Sequence, residues 1–128
     1  MDFELNLPEY KDSEEFDILD PATQEPVGVK LTLARAGSQT HVQAKHKASN
    51  KLTEAVRKGA RNTAQVIEAG DLDILTACTL GWKFSEKVLN GKKPPEFNFE
   101  TVRAFYKKHD FIRQAAQYLV QDQEAFRI

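Results

Sequence analysis

The sequence has very little of what redox, metal-binding and secreted proteins depend on. Cys78 is its single cysteine among 128 residues, so no intramolecular disulfide and no Cys-x-x-Cys pair can form. Its acidic beginning has neither the basic part nor the apolar part of a secretory signal. Its apolar runs are far shorter than the about 20 residues that a transmembrane helix needs. These absences predict a cytoplasmic protein without a membrane partner.

Side chains at catalytic or metal-binding spacing are equally scarce. His41 and His46 are five residues apart, which on a helix turns one about 140° from the other and does not suit a shared metal. Cys78 lies in an apolar stretch without a neighbouring base, as expected of a buried thiol. The glycine and lysines at 90–95 do not form the phosphate-loop pattern. We therefore expect no catalytic residue, no cofactor, no metal and no enzyme activity.

Charge is nearly balanced overall but unevenly distributed. The net charge is −1, yet residues 1–20 carry eight acids against one base, and residues 41–61 carry six bases against one acid. We hypothesise that these two segments meet between subunits. The self-association candidates are Glu14, Glu15, Asp17, Arg57, Lys58 and Arg61. A basic helix could instead bind nucleic acid, but no aromatic residue is interleaved with these bases, so nucleic acid is the less favoured partner.

Apolar periodicity predicts a β-hairpin near the beginning of the chain. Residues 16–20 and 27–33 alternate between apolar and polar side chains, and turn-forming residues separate them between Pro21 and Pro26. The hairpin is expected at 16–34. Residues 1–15 form an acidic leader outside the domain, and their scattered apolar residues leave their order open.

Helical patterns and cap residues account for the remainder of the chain. Ser38 or Thr40 can cap a helix running to about residue 62, and a second helix is expected to stop at Gly70. A third helix would then carry Trp82, with further helices after a loop at 85–97. The predicted fold is therefore mainly α with a small N-terminal β-hairpin (α+β). It is a single domain at 16–128 with a compact bundle of about four to five helices.

Four residues are expected to organise the packing around that loop. In the predicted third helix, Trp82 shares one face with Ile74, Leu75 and Cys78, which indicates a core position. Asn98 can act as the N-cap of the following helix, with Phe97 preceding it. The expected structural anchors are Trp82, Phe84, Phe97 and Asn98.

The last helix has more apolar residues than one core-facing stripe requires. This surplus indicates a contact surface for another protein, although core packing explains each residue equally well. The candidates for this surface are Phe111, Tyr118, Val120 and Phe126.

Several short motifs give the chain a family resemblance from Phe16 onward. They are Gly81-Trp82 after an apolar stretch, Asn90-Gly91 in the loop, Phe97-Asn98 at a helix start, Phe111-Ile112-Arg113-Gln114, and Phe126 near the end. In this layout the sequence resembles the tail assembly chaperones of long-tailed, non-contractile phages and prophages. It departs from the pattern at Phe111, where a tryptophan is more usual.

The resemblance implies a protein that binds the long tape measure protein in the host cytoplasm and keeps it soluble during virion morphogenesis. The client surface would be the four residues of the last helix. It also implies self-association, and a longer frameshifted form that recruits the major tail tube protein. Two alternatives stay open: a structural head–tail or tail subunit of the virion, and a small helical DNA-binding regulator.

Overall fold

The computed structural model describes residues 6–128 and contains a small sheet and five α-helices. In chain order the elements are β1 (Ser13–Leu19), β2 (Pro26–Ala34), α1 (Gln39–Arg57), α2 (Thr63–Ala77), β3 (Thr79–Phe84), α3 (Glu86–Leu89), α4 (Phe99–Lys108), α5 (Asp110–Gln121) and a final 3-10 turn (Gln123–Phe126). This confirms the predicted α+β class, mainly helical with an N-terminal hairpin.

Strands β1 and β2 form the predicted hairpin. They pair antiparallel with Phe16 opposite Leu31, and the Asp20 carboxylate closes the turn by accepting a 2.8 Å hydrogen bond from the Ala22 N–H. The strand begins at Ser13 rather than at Phe16. The predicted boundary between leader and domain is therefore too late, because residues 13–15 also pair with β2.

The predicted third helix is wrong from Cys78 onward. Helix α2 ends at Ala77, and the chain turns into strand β3, which pairs antiparallel with β2 and puts Trp82 opposite Leu31. The apolar spacing up to Trp82 suits a helix, but Leu80, Trp82 and Phe84 also alternate as a strand does. Pairing with the free edge of β2 favours the strand over the helix, since it satisfies the backbone hydrogen bonds of both strands.

The predicted helix stop at Gly70 is also wrong. Helix α2 continues through Gly70, where a Cβ atom would lie 3.4 Å from the Cβ of Ala48 in α1. The glycine therefore marks a close approach of two helices, and it does not end one.

Helix α1 begins as predicted and lies at the outside of the molecule. The Ser38 hydroxyl accepts a hydrogen bond from the His41 N–H, and His41 is the one buried residue of the helix. Helix α1 packs mainly on α2, which in turn contacts α4, α5 and β3. A groove is left on each side of the α1–α2 pair.

The core lies between one face of the sheet and helices α2, α4 and α5. Its largest fully buried side chains are Ile18, Leu31, Leu33, Cys78, Val102, Tyr106 and Phe126. The alternation in β2 predicts one apolar face with Val27, Val29, Leu31 and Leu33. The last three are buried in this core, and Val27 packs against it partly buried.

The predicted loop at 85–97 contains one short helix. Ser85 caps α3 through its hydroxyl, and a Cβ atom at Gly28 of β2 would clash with the Ser85 side chain. Glycine at that position therefore lets α3 approach the sheet. As predicted, Asn98 caps α4, and its Oδ1 accepts a 2.8 Å hydrogen bond from the Thr101 N–H.

The described part of the acidic leader is tied to the end of the chain. Tyr10 pairs with Arg127 in an antiparallel bridge, and the Lys11 N–H donates to the Phe126 carbonyl at 2.7 Å. The Arg35 guanidinium lies 5.7 Å from the centre of the Tyr10 ring. Residues 1–5, which include the rest of the predicted leader, lie outside the described residues.

Candidate protein-binding groove

An apolar groove runs between α1, α2 and α5. Its main chamber has a volume of about 380 Å³. Ile74, Leu75 and Val120 form its apolar walls, while Lys45, Asp71 and Gln117 contribute polar groups. We call this chamber and its extension the apolar groove.

The extension follows the α1–α2 pair away from the sheet. It shares Lys45, Asp71 and Ile74 with the main chamber and adds about 180 Å³. Leu52, Val66 and Ile67 supply further apolar surface, and Gly70 leaves space beside them. From Val66 to Leu75 the groove follows ten residues of α2, whose nine helical rises span about 14 Å. That length suits two to three turns of a bound helix.

Charge on the groove is balanced. Lys45 of α1 and Asp71 of α2 line both chambers, and neither belongs to an ion pair within residues 6–128. An incoming helix would meet one charge of each sign on otherwise apolar walls. The groove therefore suits an amphipathic segment better than a strongly charged one.

His41 is one of the residues that line the main chamber of the apolar groove. Its Nδ1 accepts a 3.1 Å hydrogen bond from the Gly37 N–H, so the neutral ring carries its proton on Nε2. Burial lowers the pKa of His41, and the positive charge of Lys45 lowers it further. Both effects hold the imidazole neutral, which preserves its bond to the turn before α1.

The structure divides the four predicted client residues between the core and the surface. Phe126 is fully buried and packs edge-on against Phe16 at 5.3 Å, so its assignment to a client surface is wrong. Val120 is also buried, with 4% of its surface exposed, but it forms part of the wall of the apolar groove. Phe111 and Tyr118 are exposed, Tyr118 to 70%.

Helix geometry explains this division. Phe111 and Tyr118 are seven residues apart and share one outer face of α5. Val120 follows Tyr118 by two residues, which turns it about 200° away and toward the core side. The surplus of apolar residues on α5 therefore serves two surfaces: the wall of the apolar groove and an exposed stripe on the opposite side.

The predicted anchors form an aromatic cluster between β3 and α4. The Trp82 ring lies edge-on to Phe84 at 5.1 Å and to Phe97 at 5.6 Å, as expected from the sequence. Phe105 of α4 completes the cluster at 5.3 Å from Trp82. Trp82 thus joins the sheet to α4, and its part-buried ring is an element of packing.

The self-association candidates lie at two separate places. Glu14 binds Lys11 and Glu15 binds Lys83, whereas Asp17 lies opposite Lys30 on the same hairpin. Arg57 and Lys58 both contact Glu54 at the end of α1. Arg61 follows in the exposed turn before α2. Their proposed meeting between subunits stays a prediction.

Two polar contacts inside the fold were missed by sequence reasoning. The hydroxyls of Thr79 and Tyr106 are buried and lie 2.6 Å apart, and burial raises the pKa of Tyr106 to about 12. Asp73 of α2 accepts a 2.7 Å hydrogen bond from Arg103 of α4. Neither pair leaves a local pattern in the sequence, since 27 residues separate one pair of partners and 30 residues the other.

The groups considered for chemistry are dispersed. Cys78 is buried, and burial raises the pKa of its thiol to about 11, which disfavours the nucleophilic thiolate. No cluster of three or more potential metal ligands occurs within residues 6–128. No helix in this part of the chain is long and apolar enough to cross a membrane.

Comparison with family models, with curated proteins and with solved structures gave no match.

Proposed function

We propose that this chain is a phage tail assembly chaperone that binds the tape measure protein in the host cytoplasm. The sequence resemblance suggests the client, and the apolar groove between α1, α2 and α5 is the observation that carries the proposal. A chaperone of this kind needs a surface that accepts apolar helices, and it needs no catalytic residue. Self-association and a longer form that recruits tail tube protein belong to the same proposal.

The dimensions of the apolar groove support a helical client. A length of about 14 Å accommodates two to three turns, in which residues at positions i, i+3 or i+4, and i+7 would face Ile67, Ile74 and Val120. Each such contact is small, so the affinity of one copy would be modest. Many copies along one long helix would bind strongly together, because the first bound segment raises the effective concentration of the next.

The exposed stripe of α5 offers a second contact to the same client. Phe111 and Tyr118 are large side chains that leave much of their surface in water. Aromatic residues in this situation are typical of protein interfaces, where their burial contributes most of the binding energy. The groove and the stripe lie on opposite sides of α5, so one copy could contact two client segments.

Co-expression with a phage tape measure protein tests the proposal. Ile67→Glu places a charge in the groove at a side chain that is already 48% exposed, so the fold should tolerate it. Val88→Glu is the matched control, since Val88 is 43% exposed on α3, away from the groove. We expect soluble complexes with the unmodified chain and with Val88→Glu, and an insoluble client with Ile67→Glu. A client that stays soluble with Ile67→Glu, or without this chain, contradicts the proposal.

Mass spectrometry of purified virions separates the chaperone from a structural subunit. A chaperone leaves the tail before completion and should be absent, whereas a head–tail or tail subunit should be present in stoichiometric amounts. A DNA-binding regulator would instead bind duplex DNA with an affinity that falls steeply as salt rises.

A further inference from the structure

A second groove lies on the other side of the α1–α2 pair, facing α4. Ala44, Ala48 and Ala77 form an apolar floor of small residues, and Phe99 stands beside it with 49% of its surface exposed. The rim is basic and consists of Lys47, Lys51, Arg103 and Lys107. We call this feature the basic groove.

The charge of the basic groove is only partly neutralised within the chain. Asp73 at its centre contacts Arg103 at 2.7 Å and Lys51 at 3.7 Å. Lys47 and Lys107 have no ion-pair partner among residues 6–128. Bases on the groove outnumber acids four to two, since Glu100 is its other acid. An occupant that combines apolar and acidic side chains would therefore complement it.

The first seven residues of this chain have that composition. Met1, Phe3, Leu5 and Leu7 alternate with Asp2, Glu4 and Asn6. In an extended conformation this alternation puts every apolar side chain on one side and both acids on the other. Leu7, which the structure describes, is 66% exposed.

The attachment of this segment favours binding to a different copy. Asn6 lies beside Arg127 and Ile128, and the neighbouring Tyr10 bridge joins the leader to the turn that packs on β1. The basic groove is lined by α1, α2 and α4, and none of these three helices packs extensively on β1 or on the final turn. Phe3 is three residues from Asn6 and reaches at most about 11 Å from it.

We propose that residues 1–7 of one copy bind in the basic groove of a second copy. Phe3 and Leu5 pack against Phe99 and the alanine floor, while the long side chains of Lys47 and Lys51 at the rim reach past the bound segment to Asp2 and Glu4 on its outer side. The contact is head-to-tail, so it can repeat and produce rows of copies. It is independent of the proposed client, which the opposite groove would bind.

A labelled peptide of residues 1–9, titrated with a chain that lacks residues 1–5, isolates this contact. We expect saturable binding by fluorescence anisotropy, weakened at least tenfold by Lys47→Glu and by Phe99→Ser. Lys87→Glu is the matched control, because Lys87 is an exposed base on α3 that does not line the groove. A peptide carrying Asp2→Lys and Glu4→Lys should recover affinity for Lys47→Glu. Thermal melting of each variant checks that the fold is intact.

Sedimentation velocity of the full chain supplies the second readout. We expect association that rises with concentration, weakens with salt and disappears when residues 1–5 are removed. Absence of saturable peptide binding overturns the proposal, as does equal binding to Lys47→Glu, Phe99→Ser and the control. A full chain that stays monomeric while its truncated form binds the peptide overturns the assignment to a second copy. If the truncated chain still keeps the client soluble, this contact between copies is not required for the chaperone function.

Discussion

The buried contact between Thr79 and Tyr106 leads to a quantitative prediction about the stability of the fold. The Thr79 hydroxyl donates to the Leu75 carbonyl at 2.9 Å, so the 2.6 Å contact with Tyr106 has the tyrosine hydroxyl as its donor. Tyr106 is fully buried. Replacing Thr79 by valine keeps the shape of the side chain but leaves the tyrosine O–H without a partner.

The two single substitutions should therefore differ in cost. Thr79→Val leaves the buried Tyr106 hydroxyl without an acceptor and removes the hydrogen bond to the Leu75 carbonyl. Together these losses should lower the free energy of unfolding by about 2 to 3 kcal/mol. Tyr106→Phe removes the donor itself and leaves Thr79 bonded to Leu75, which should cost about 1 kcal/mol. In the double variant no hydroxyl is left without a partner, so the loss in free energy of unfolding should be smaller than for Thr79→Val alone.

Urea unfolding followed by Trp82 fluorescence measures all four free energies, because Trp82 lies three residues after Thr79 in the same strand. The four values form a double-mutant cycle with an expected coupling of about 1 to 2 kcal/mol. Additive costs, or a Tyr106→Phe variant less stable than Thr79→Val, would refute the assignment of donor and acceptor.

Further predictions concern the aromatic cluster, the helix contact and the buried histidine. Trp82→Ala removes contacts with three rings and should cost about 3 kcal/mol in urea unfolding followed by circular dichroism; a loss below 1 kcal/mol would contradict the packing role. Gly70→Ala adds a methyl group at contact distance from Ala48 and should change stability by less than about 1 kcal/mol, whereas Gly70→Leu should separate α1 from α2 and lower the melting temperature. Because the folded state lowers the pKa of His41, the neutral imidazole contributes stability that is fully present above the unfolded pKa of 6.5. This stability is lost as pH falls from 6.5 through the lower pKa of the folded state. Thermal melts at pH 7.5 and 5.5 should therefore differ more for the unmodified chain than for His41→Asn, and equal differences would contradict the assignment.

Local patterns in the sequence predicted the features whose causes are local. The alternation in 27–33 placed Val29, Leu31 and Leu33 in the core, and Ser38 and Asn98 cap helices as their side chains suggested. These outcomes depend on interactions within a few residues, namely the period of a strand and a bond from a side chain to the next turn.

Errors arose where two local interpretations were both allowed. Trp82 fits a helical stripe and also a strand, and pairing with β2 selected the strand. Gly70 fits a helix end and also a close helix contact, and Ala48 selected the contact. Phe111 and Phe126 are chemically alike, but only Phe126 meets Phe16 in the core.

Local patterns in the sequence were thus enough to predict the class of fold, the hairpin, the starts of α1 and α4 and the contrast between an acidic beginning and a basic helix. The third strand, the burial of Phe126 and the two grooves that flank α1 and α2 follow from packing between distant elements. Periodicity and capping, by contrast, act only between near neighbours along the chain. A groove is made by residues such as Lys45, Asp71 and Val120, which come together only when distant helices pack.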